Sequence, residues 1–130
     1  MLAAVIGLPL LAMLQVSNGA APAQERILVA SVADLRTRVA YPPAARFRRV
    51  HFLRSVGADK REHLILCGQV DMDDPQAPSG WTVFTAAELE GFGFTQYVGD
   101  MAARLCALPG GKWDYAHDYS DRYVRAFTAR

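Results

Sequence analysis

The spacing of apolar and polar residues changes period several times along the chain. Leu2–Val16 is apolar apart from Gln15, carries Pro9 near its middle, and gives way to small residues. From Gln24 the period becomes helical. Ile27, Leu28, Val32, Leu35 and Val39 recur at intervals of three and four, with charges on the other face. This predicts a helix over Gln24–Ala40. Tyr41-Pro42-Pro43 ends it, because the residue before a proline is pushed out of helical conformation. Pro43 can open one more turn through Arg46.

The next stretches read as strands. Phe47–Val56 is rich in β-branched and aromatic residues, and Glu62–Met72 follows after a turn at Gly57–Lys60. The pair predicts a hairpin, with its more apolar second arm central in a sheet. Gly68 inside that arm predicts a bulge or a close backbone approach. Asp73–Gly80 is a loop, Trp81–Ala86 a third strand, and Glu88–Gly93 either extends that strand or turns. From Thr95, the spacing of Tyr97, Val98, Met101 and Leu105 predicts a helix capped by Thr95. Tyr119, Tyr123 and Phe127 at every fourth position predict a final helix capped by Ser120, with a strand as the alternative there. The expected class is α+β. An N-terminal helix precedes a small antiparallel sheet of about three strands, and C-terminal helices pack on the sheet.

The apolar start changes the picture of where the chain works. It is short for a membrane span, which takes about 20 apolar residues, and suits the apolar region of a secretory signal. Ala21-Pro22-Ala23 before Gln24 fits the small-residue cleavage pattern. No Lys or Arg precedes it, as a signal normally has; the first basic residue is Arg26. The expectation is a signal peptide over residues 1–23, and a single domain over 24–130 that is periplasmic or secreted. An uncleaved N-terminal anchor is the rival, and a membrane is a partner only in that case.

Export bears on the two cysteines. A mature chain of 107 residues has a modest core, and cysteines in an oxidising compartment tend to pair. A Cys67–Cys106 disulfide would close a loop worth about 4 kcal/mol in the chain-entropy model, stapling helix to sheet. The other reading is two buried thiols acting as small hydrophobes.

Charge is sorted. Nine Lys and Arg residues lie from Arg26 to Arg61, opposed only by Asp34 and Asp59; from Glu62 to Asp100 there are seven acids and no Lys or Arg. The favoured reading is that the two halves fold together and pair their charges across strands. The alternative is a basic patch for an anionic partner. Trp81, Trp113, Arg46, Arg48 and Arg49 form the candidate binding surface. The mild overall charge and the export signal argue against nucleic acid.

Three motifs appear in order: Tyr41–Arg48 (YPPAARFR), Cys67–Asp74 (CGQVDMDD) and Ser79–Phe84 (SGWTVF). Together they resemble a family of uncharacterised small exported bacterial proteins with DPxSAxFR, CGxVNxKN and GGYxGF elements. The resemblance covers about Val32–Phe84. It departs from the family at Tyr41, at Asp71-Met72-Asp73-Asp74 and at Val83. It implies export and the hairpin-plus-third-strand layout, and it carries no catalytic residue.

Candidate chemistry is sparse. Asp71–Asp74 offers carboxylates for a hard cation but fails the EF-hand pattern at Pro75, Gln76 and Thr82. His51 and His63 face each other if the hairpin turns near Gly57, yet two imidazoles make a poor zinc site. Ser120 lies too near His117 and Asp118 in sequence for a catalytic triad. The aromatic, acidic run around Trp113–Tyr123 suits either ligand stacking or rings packed on a small core with wet polar tips. No cofactor is implied. The expectation is a non-catalytic exported module that binds a protein or envelope component. The alternative is a small hydrolase or metal-dependent enzyme using His51, His63, His117 and the Asp71–Asp74 loop.

Overall fold

The computed structural model describes residues 20–56, 60–73, 80–89, 92–107, 112–114 and 117–129. Helix α1 (Ala20–Arg38) leads through a short 3₁₀ turn (Pro42–Ala44) into strands β1 (Arg46–Val56), β2 (Glu62–Asp71), β3 (Thr82–Leu89) and β4 (Gly93–Val98). Helix α2 (Asp100–Cys106), the two-residue strand β5 (Lys112–Trp113) and helix α3 (Ser120–Thr128) follow. The strands form one antiparallel sheet in the order β4-β3-β2-β1-β5.

The helical stripe of α1 faces the sheet as its spacing requires. Ile27, Leu28, Val32, Leu35 and Val39 are all buried, none above 5 % exposed. They pack with Val50, Phe52, Leu66, Val70, Phe84 and Ala86 from the sheet and with Tyr123 and Phe127 from α3. Alternation along the strands puts Phe47, Phe52, Leu66, Val70, Phe84 and Ala86 on this one face. Phe47 fills the space between the sheet and α3, its ring centroid 4.8 Å from those of both Tyr123 and Phe127. The helix begins ahead of the expected cleavage point at Ala23, whereas its first deeply buried residue is Ile27. Residues 1–19, which carry most of the expected signal, lie outside the described residues. Among the described residues no helix is long and apolar enough to cross a membrane.

A buried polar chain ties α1, β4 and α3 together. The Gln96 amide donates to the Ser31 carbonyl (3.2 Å) and to Asp34 Oδ2 (2.7 Å). Its carbonyl oxygen can only accept, so the Ser31 hydroxyl donates to it. Tyr123 must then donate to Ser31 Oγ, 2.8 Å away. Burial holds the Tyr123 hydroxyl well above the ordinary tyrosine range, only partly offset by the Ser31 bond.

The expectation of about three strands is corrected to five. Thr95–Val98 is strand, not helix, and Thr95 caps nothing: it pairs with Ala87 across β3–β4. Phe94, Tyr97, Val98 and Met101 satisfy a helical spacing, but pairing Gly93–Val98 with β3 satisfies the backbone groups of β3 that β2 leaves open. The turn is set by Gly93 (φ 72°), and Gly99 (φ 105°) breaks the chain before α2; both are left-handed conformations that glycine tolerates. The Gly99 N–H donates to the Val83 carbonyl (2.8 Å) and prolongs the ladder. Strand β5 was invisible because two residues carry no period. Ser120 is likewise not the cap of α3. It is the first helical residue, and Asp118 Oδ1 accepts its backbone N–H at 2.8 Å.

Cys67 in β2 and Cys106, the last residue of α2, are joined by a disulfide with Cα atoms 6.1 Å apart. The bond holds α2 on the sheet face opposite α1 and α3.

Candidate functional site

On that opposite face the pleat directs Arg46, Arg48, His51, Leu53, Cys67, Gln69, Asp71 and Val83 outward from the core. A cleft of about 380 Å³ opens here, lined by Arg49, His51, Cys67, Gly68, Gln69, Val83, Cys106 and Trp113. The disulfide contributes to its lining. Trp113 reaches it because β5 pairs with Leu53 of β1.

A β-bulge shapes the rim. The β1–β2 register steps by three residues on one strand against two on the other between Arg48/Gln69 and His51/Cys67. Arg49 takes up the extra residue with φ 54°, a left-handed conformation uncommon for a side chain of this size. Strict alternation would turn Arg49 into the core. The bulge hands that place to Val50, fully buried, and leaves Arg49 exposed at the cleft.

The neighbouring arginines are held. Arg46 pairs with its cross-strand partner Asp71. That guanidinium, with the Asp73 N–H, keeps the Asp71 carboxyl below the usual carboxylate range. Arg48 donates to Gln69 Oε1 (2.6 Å) and lies over Trp81, 4.2 Å from the ring centroid, with Arg46 at 5.4 Å from the same ring. Arg49 makes no ion pair among the described residues.

His51 is seated by the segment that runs along the outer edge of β1. Its Nδ1 lies 3.0 Å from the His117 carbonyl and 3.3 Å from that of Asp114. Carbonyls only accept, so Nδ1 carries a proton. Its Nε2 is 3.9 Å from Asp118 Oδ2. The segment is fixed to β1 by Asp114 N–H to Phe52 O (3.0 Å), Tyr119 N–H to Val50 O (2.8 Å) and Val50 N–H to Ser120 Oγ (3.1 Å). The Ser120 hydroxyl donates to Asp118 Oδ1, and this bond chiefly lowers the Asp118 carboxyl from its ordinary range. The Ser120 hydroxyl is therefore bonded to a carboxylate and not to an imidazole as a catalytic triad requires.

Of the residues singled out from sequence, Trp81, Trp113, Arg46, Arg48 and Arg49 all belong to this one face. The three histidines do not converge. His63 pairs with Ser55, not with His51, whose partner is Cys67 four residues further on. That is about 13 Å along the strand. The His117 ring is turned to Asp114, 3.0 Å away. Asp71 is engaged by Arg46, and Asp74 lies outside the described residues. Among the described residues no group of three or more His, Cys, Asp or Glu side chains is placed to hold a metal ion.

Among the described residues, three of the nine Lys and Arg from Arg26 to Arg61 pair with acids of the second half: Arg26–Glu88 at 3.1 Å, Arg54–Glu62 at 3.5 Å, and Arg46–Asp71. Sequence reasoning missed His51 as a cleft residue, Gln69 as the partner of Arg48, and the bulge. The clustered Arg48-Arg49 before an apolar Val50 was the available signal, since strict alternation cannot accommodate both arginines outside. Comparison of the chain with protein-family models, with curated proteins and with solved structures finds no match to any of them.

Proposed function

We propose that the protein is an exported, non-catalytic binding module of the periplasm or extracellular space. It engages a protein or envelope component through the cleft and the adjoining Arg46–Arg48–Trp81 stack. One observation carries this reading: both tryptophans and the three clustered arginines lie on the sheet face that the core does not use. Supporting it, the stretches Tyr41–Arg48, Cys67–Asp74 and Ser79–Phe84, which carry the family resemblance, supply Arg46, Arg48, Cys67, Gln69, Trp81 and Val83 to that face.

A hydrolytic reading has less support. The Ser120 hydroxyl is committed to Asp118, His51 Nδ1 to two backbone carbonyls, and His63 stands at the far end of β2.

Photo-crosslinking tests the proposal. A photoreactive residue at position 113 is expected to capture an envelope component in cells. One at Val29, half-exposed on α1, is expected to capture none. Equal capture from both positions, or none from position 113, would count against the cleft as the binding face.

A further inference from the structure

Resting on that reading, we infer that the cleft takes a small monoanion with an apolar body: a carboxylate carried on one aromatic ring system or a short acyl group. Four features of the cleft lead there.

The volume comes first. At about 380 Å³ the cleft sits at the low end of the range for small-molecule sites, roughly 300–1,000 Å³. It has room for a group of one or two rings.

The lining comes second. Val83, the Cys67–Cys106 disulfide, the Gly68 backbone and the Trp113 indole give mostly apolar walls. Few polar groups interrupt them, as in sites that bury the body of a ligand and fix one end.

The third feature is the charge carried by the lining. Arg46 is neutralised by Asp71, and Arg48 is held by Gln69 and the face of Trp81. Arg48 keeps its charge, but among the described residues that line the cleft Arg49 is the one Lys or Arg; its guanidinium stays charged at any working pH and matches a carboxylate in a two-pronged fork. One such cation balances one negative charge; a dianion at an apolar cleft would bring an uncompensated charge with it.

The fourth is placement. The bulge between Arg48 and His51 removes Arg49 from the core face and sets it at the cleft in a left-handed conformation. Bulges of this kind re-aim side chains beside functional sites. Two acids on the far side of His51 keep their charge, Asp118 hydrogen-bonded by Ser120 and Asp114 beside the His117 ring, but neither lines the cleft.

The test uses the full chain with its disulfide intact. Two probes differ only in charge: 2-naphthoate and the neutral 2-naphthamide. Calorimetric titration, with the backbone amide shifts of Gln69 and Val83 as the site readout, compares their affinities. Wild type is expected to bind 2-naphthoate at least tenfold more tightly. Arg49→Gln is expected to abolish that preference while leaving 2-naphthamide binding within about twofold, and Arg49→Lys to keep part of it. Arg54→Gln, which removes a cation paired with Glu62 on the other face, is expected to keep all of it. Equal binding of the two probes to wild type, or a preference that survives Arg49→Gln, would overturn the inference and leave the cleft as a binding site. Binding of neither probe would overturn the inference, while crosslinking from position 113 would still report on the broader reading.

Discussion

The ring of Phe84 lies directly across the backbone of Gly68. A Cβ on Gly68 would stand 2.6 Å from Phe84 Cζ, 2.8 Å from Cε1 and 3.0 Å from Val50 Cγ2. The two residues are cross-strand partners, so the ring occupies the space that a side chain would need. Phe84 is itself wedged against Phe47 and Tyr123 and has little room to retreat. Gly68→Ala is therefore expected to destabilise the fold by about 1–3 kcal/mol, as overpacking a dense core does. Urea denaturation of the two proteins measures this. An alanine variant as stable as wild type would mean that the ring moves freely.

The disulfide anchors α2 to β2 across 39 residues of chain. Replacing both cysteines by alanine is expected to cost about 4 kcal/mol, chiefly through the freedom regained by the unfolded chain. Reduction of the wild-type protein should lower its denaturation midpoint by a comparable amount. The mass difference after alkylation, with and without reductant, reports the bond directly.

Arg49 holds a backbone conformation that costs a non-glycine residue roughly 1 kcal/mol or more. Arg49→Gly is expected to raise stability by about that amount while removing the cation from the cleft. Thermal melts beside the naphthoate titration would show the two effects moving in opposite directions. A variant no more stable than wild type would argue that the bulge relaxes once its side chain is gone.

Tyr123 donates into the Ser31–Gln96 chain from a fully buried position. Its folded-state pKa is raised. The stability it contributes is therefore fully present below the unfolded tyrosine value near ~10 and is lost as pH climbs through the folded one. Tyr123→Phe is expected to cost about 0.5–1.5 kcal/mol at neutral pH and to flatten the fall in stability on the alkaline side. Denaturant titrations on either side of that value give the slope.

Asp71 titrates with the opposite sign. Its folded-state pKa is depressed, so its contribution is present above the unfolded carboxylate value near ~3.9 and lost as pH drops through the folded one. Arg46→Gln removes the first cause of that depression. The variant is expected to lose less stability than wild type between neutral pH and the acid limb. Parallel acid limbs would show that the pair contributes nothing measurable.

Much of the fold was legible because it depends on local period. The α1 stripe from Ile27 to Val39, the β1–β2 hairpin and the Tyr119–Tyr123–Phe127 face of α3 each follow from spacing alone. Strand β4 was not legible, because Gln96 stands at a core-facing position where an apolar residue would have marked the alternation. Its burial is permitted by partners on α1, Ser31 and Asp34, more than sixty residues away. The aromatic and basic residues of the candidate face were visible in composition. Their convergence depends on a bulge and on a two-residue strand, and neither leaves a periodic trace. The seat of His51 depends on carbonyls at 114 and 117, and backbone oxygens carry no residue signature.

The sulfur bridge also lines the cleft, so the same covalent event that closes the chain fixes one wall of that cavity. With both thiols free, Cys67 of β2 and Cys106 of α2 would no longer be tied together at that wall. The shape of the cleft is thereby coupled to the redox state of two of its own lining residues.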